Sequence, residues 1–68
     1  MTAAIISFHP TMADVHAAWE RYDDAQRRAL KLYEDPASTS RQRFQASMEA
    51  LRLHKEFARL YRRMDNAA

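Results

Sequence analysis

His16 and Glu20 are four residues apart, the spacing at which two side chains of one helix can reach the same ion. An imidazole nitrogen and a carboxylate oxygen are both zinc ligands, but a working site needs three or four, and these two stand on the polar face of the helix, where a His beside a Glu is commonplace. The chain has no Cys, which excludes thiolate coordination and disulfides alike. A di-iron bundle would call for Glu-x-x-His repeats, a pattern that does not occur. Ser38, Thr39 and Ser40 supply three consecutive hydroxyls without a recognisable general base beside them, so nucleophilic catalysis has no starting point. The sequence therefore assigns no catalytic residue, no metal ligand and no cofactor, and the chain reads as non-enzymatic.

Other groups are suited to binding rather than reaction. Trp19, Tyr22 and Tyr33 share one helix face, and a core stripe explains them more simply than an aromatic box around a small ligand. His54 falls between two apolar lines, in line with Ser47 and Tyr61, the place of a hydrogen-bonded histidine in a buried interface. The remaining group is cationic. The formal net charge is +2, but residues 41–63 carry seven basic and two acidic side chains, whereas residues 11–35 carry four basic and six acidic. Arg52, Arg59, Arg62 and Arg63, with Lys55 and Arg43, would make a phosphate-binding surface for an RNA or DNA backbone. Against that, Glu49 and Glu56 stand three or four residues from Arg52 and Arg59, as in a solvated, salt-bridged face. Basic residues near the end of a helix also complement its dipole without any ligand. No exposed aromatics interleave with them to stack single-stranded bases.

The elements that must position these residues are helices. Gly is absent and the two Pro residues stand at 10 and 36, so hairpin punctuation is missing, while Ala, Arg, Leu, Met, Glu and Gln are abundant. Pro10 precedes Thr11, and Thr11 with Asp14 forms a capping-box pattern. The spacing predicts a first helix over 11–34, with Met12, Val15, Trp19, Tyr22, Ala29 and Tyr33 as its inner line and Ala18, Ala25 and Leu32 as flanks. Asp35-Pro36 ends it. The next start is either Asp35 as N-cap with Pro36 at N1, or Thr39 as N-cap with Gln42 at N3; a second helix is placed over 38–64, followed by a tail at 65–68.

That second helix is apolar over roughly 240° of its circumference, against the roughly 100° stripe of an ordinary surface helix. One line is Ala46, Ala50, Leu53, Phe57, Leu60 and Met64, spaced as a coiled-coil seam; another is Phe44, Met48, Leu51 and Ala58. A hairpin offers only one neighbour, so one line is left over. The expected interface for a second copy or a heterologous protein is Ala50, Leu53, Phe57, Leu60 and Met64, with two hairpins joining as a dimeric four-helix bundle that resembles the ROP type in size and topology.

A 68-residue chain buries only about 60% of the surface exposed by its unfolded form, and without disulfides or metal it gains most from oligomerisation. The arm at residues 1–10 has no basic leader and too short an apolar run to span a membrane; Phe8 within it is expected to pack on the bundle. A cytoplasmic location follows by default. Leu60-Tyr61-Arg62 matches the tripeptide of the LYR-motif family, where it opens a longer helical protein; here it stands at the far end of the second helix and places the chain in no family. The expected function is a small protein–protein interaction module acting as adaptor, inhibitor or regulator. The alternative is a dimeric nucleic-acid-binding regulator using the basic side of the second helix, and binding to a membrane surface ranks below both.

Overall fold

A computed structural model describes residues 10–67 of the chain, so the expected packing of Phe8 lies outside the described residues. It consists of two α-helices, α1 (Met12–Glu34) and α2 (Ser40–Ala67), packed against each other as an antiparallel hairpin, with no strand among the described residues.

Local chemistry sets three of the four helix ends. Thr11 is the N-cap of α1: its backbone N–H donates to Asp14 Oδ2 (2.9 Å) and its Oγ1 accepts from the Asp14 N–H (3.2 Å), which satisfies two groups that the first turn would leave open. Asp35 ends α1 in extended backbone, as the residue before Pro36 must. Pro36 then takes the second place of a β-turn closed by the Ser38 N–H on the Asp35 carbonyl (3.1 Å), while Asp35 Oδ1 accepts from the Ala37 N–H (2.9 Å).

Of the two starts open to α2, the structure uses Thr39. Its N–H donates to Gln42 Oε1 (2.8 Å), and its Oγ1 accepts from the Gln42 N–H (3.1 Å). Helix α2 thus begins two residues later than the sequence placed it and runs through the expected tail. The Arg43 guanidinium folds back on this loop, Nη1 donating to the Ser38 carbonyl and hydroxyl (2.9 Å each) and Nη2 to Ser40 Oγ (3.2 Å). All three hydroxyls at 38–40 are therefore engaged in shaping the turn and the helix start.

The core is thin and built mostly of small side chains. Val15 and Ala18 of α1 meet Leu60 of α2 near one end, with Phe57 and Met64 packed against them; Ala25 meets Ala50 and Leu53 near the other, with Tyr22 alongside. Ala18 is 1% exposed and Ala29 is also buried, whereas Trp19 and Tyr33, expected on the inner line, are 43% and 58% exposed. The contact face of α1 is thus turned roughly 50° from the expected line, toward its alanines. The cause is steric. Alanines let two backbones approach closely, and a Trp or Tyr between the helices would hold them apart and open voids around itself. The rings lean over the edge of the contact instead.

Candidate functional site

The coiled-coil seam of α2 is the line that α1 covers. Ala50, Leu53 and Leu60 are buried against it, and Phe57 and Met64 are partly buried on the same side. The five residues expected to form an intermolecular interface are therefore occupied within the hairpin. What remains outside on this side is Leu51 of the other apolar line of α2, with His54 and Tyr61, together with the displaced rings of α1.

These form one continuous face across both helices. Trp19 packs edge-on against Tyr22 (ring centroids 5.3 Å) and Phe57 (5.1 Å), Tyr22 meets His54 edge-on at 5.0 Å, and His54 and Tyr61 flank Phe57 at 6.3 and 6.1 Å. Edge-to-face pairs of this kind contribute about 0.5–1.5 kcal/mol each beyond the area they cover. They hold the rings in place without hiding them. Beyond the rings, the face continues into a groove of about 400 Å³ lined by Tyr22, Leu30, Tyr33, Ser47, Leu51 and His54. Tyr33 Oη and Ser47 Oγ share a hydrogen bond across it (3.0 Å). Leu30, Tyr33, Leu51 and Tyr61 are each about half exposed or more, a run of large apolar side chains that single-molecule surfaces seldom carry. Trp19, Tyr22 and Tyr33 do share a face, but only Tyr22 touches the core. His54 is exposed in the hairpin and makes ring contacts rather than a hydrogen bond.

Leu30 went unremarked in the sequence, although it lies four residues after Gln26 and three before Tyr33, a spacing that puts it beside the groove. Phe44 and Met48 are exposed further round α2, facing away from α1.

The opposite broad side of the hairpin is polar. Arg21 Nη2 and Glu56 Oε1 approach to 3.4 Å and link the two helices over a shallow depression that Asp14, Arg59 and Arg63 also line. Two further pairs stay within α1, Arg27 with Asp23 (3.2 Å) and Arg28 with Asp24 (3.4 Å). The outer back of α2 carries Arg52, Lys55, Arg59 and Arg62, all exposed; Arg63 turns toward the Arg21–Glu56 side.

His16 Nδ1 lies 3.4 Å from Glu20 Oε1 on the solvent side of α1. Among the described residues, no three His, Cys, Asp or Glu side chains converge as a metal site would require, and no helix is long and apolar enough to cross a membrane. No protein-family model, curated protein sequence or solved structure matches the chain.

Proposed function

We infer that this protein is a non-enzymatic interaction module, a helical hairpin that associates with a second copy through its aromatic face and acts as an adaptor, inhibitor or regulator of another protein. The observation that carries this reading is the face itself. Trp19, Leu30 and Tyr33 of α1 and Leu51 and Tyr61 of α2 are exposed together on one side of a two-helix layer whose buried residues are mostly alanine. A core that small leaves the hairpin short of the apolar burial an independent fold needs. A second hairpin laid over the face would supply it and complete a four-helix bundle.

Two features favour a second copy as the occupant. The face spans both helices, so a two-fold axis through it brings like surface against like and closes the assembly at two chains. The helices also differ in charge, acidic over residues 11–35 and basic over residues 41–63, which favours each α1 lying over the partner's α2.

The test is the solution mass by light scattering over a range of concentrations, for the parent chain and for Leu30→Glu and Leu51→Glu. Both substitutions fall at exposed positions of the face, so the hairpin itself accommodates them. The expected result is a mass of twice the 8.0 kDa chain for the parent and of one chain for each variant. A parent mass of one chain at every concentration overturns self-association, and the same face then belongs to a different protein.

A further inference from the structure

We propose that the outer back of α2 is a binding surface for the phosphate backbone of a nucleic-acid duplex, with Arg52, Lys55, Arg59 and Arg62 as the contacting cations. These residues are spaced three, four and three apart, which aligns them in one straight ridge about 15 Å long at 1.5 Å per residue. All four are exposed, and a shallow depression of about 280 Å³ runs among Arg52, Lys55, Glu56 and Arg59. A duplex presents one charge per roughly 1.7 Å of its axis, so a ridge of this length faces several phosphates at once.

The acidic residues nearby do not neutralise the ridge. Glu56 turns its carboxylate to Arg21 of α1, across the interhelical contact; Glu49 lies one turn before Arg52, beyond one end of the ridge, and Asp65, which lines a depression with Arg62, lies beyond the other without forming an ion pair with it. Among the described residues, none of the four cations forms an ion pair with a protein carboxylate. Four aligned charges held on a rigid helix without partners repel one another, and a polyanion relieves that repulsion by releasing its own counterions.

The chemistry selects a duplex over the other polyanions a cell offers. The exposed ring nearest the ridge is Tyr61, which shares a depression with Phe57 and Arg62 at the far end, so stacking of unpaired bases is confined to that end while the Arg52–Arg59 stretch offers charge alone. The exposed apolar residues on the back of α2, Phe44 and Met48, both precede the ridge, whereas an interfacial membrane helix needs apolar side chains along the stretch that carries its charge. The ridge points away from α1, and only its far end, where Arg62 shares a depression with Phe57 and Tyr61, borders the aromatic face, so it is available to the hairpin alone and present twice in a dimer.

Fluorescence anisotropy of a labelled mixed-sequence DNA duplex, titrated with the full chain at several salt concentrations, tests the proposal. Four phosphate contacts predict a slope of log affinity against log salt of about −3.6, a loss of about 150-fold between 50 and 200 mM. The double variant Arg52→Glu, Arg59→Glu should bind at least about tenfold more weakly with unchanged helix content by circular dichroism, and Arg52→Gln, Arg59→Gln should fall between it and the parent. Lys31→Glu, on α1, should bind the duplex as the parent does. Absence of duplex binding at low salt overturns the proposal, as does equal binding by parent and double variant. Co-sedimentation with phosphatidylserine vesicles in place of duplex binding also overturns it and assigns the ridge to lipid headgroups.

Discussion

Ala18 sits in the cluster with Val15 and Leu60, almost wholly removed from solvent, and its methyl group marks the room available between the helices. A larger side chain there has nowhere to go without separating the backbones. Ala18→Leu should therefore destabilise the protein by about 1–3 kcal/mol, read as a lower urea midpoint. The opposite change at Leu53 leaves a void beside Ala25 and Ala50, and Leu53→Ala should cost about 2–5 kcal/mol by the same measurement. The Arg21–Glu56 pair is of a different order. Its side chains remain 50% and 36% exposed, so water already screens the attraction, and Glu56→Gln should lower stability by no more than about 1 kcal/mol. The same substitution removes the carboxylate that lines the depression among Arg52, Lys55 and Arg59, which makes it a probe of charge there.

At the scale of the helices, their ends were the most legible part of the sequence, because caps are local chemistry. Thr11 with Asp14 and Thr39 with Gln42 each close a box within four residues, and the turn between the helices follows from Asp35-Pro36. Thr39→Ala should shift thermal unfolding by the equivalent of about 1 kcal/mol, since the Gln42 N–H then loses its acceptor. The two apolar lines of α2 were legible too, because periodicity reports the angle at which each side chain leaves the axis. Which line α1 would cover was not, because that choice rests on how closely two backbones can approach, and a helical wheel contains no distances. Alanines at 18, 25 and 29 decide it in favour of Ala50, Leu53 and Leu60, and the large rings that dominate the hydrophobicity of α1 are displaced to the rim. The cationic ridge was visible as a composition, but its freedom from Glu56 depends on a contact between residues 35 apart in sequence.

At the scale of the molecule, the described residues form a single layer of two helices, and a layer has two broad sides that a core this small cannot both serve. One side is apolar and ringed, the other polar with its charges linked across the helices. That asymmetry is the form expected of half of a bundle, whose outer side meets water and whose inner side meets its counterpart. It also ties stability to concentration. If the folded state is a dimer and the unfolded state a single chain, each tenfold rise in protein concentration adds about 1.4 kcal/mol per mole of dimer to the free energy of unfolding. Chemical unfolding followed by circular dichroism should therefore give a urea midpoint that climbs as the chain is concentrated. For Leu51→Glu the midpoint should be lower and independent of concentration, because that substitution places a charge on the face without touching the contact between α1 and α2. A parent midpoint that does not move with concentration would mean that the contacts from Val15 to Leu60 and from Ala25 to Leu53 hold the hairpin unaided, and that the aromatic face is kept for a partner other than itself.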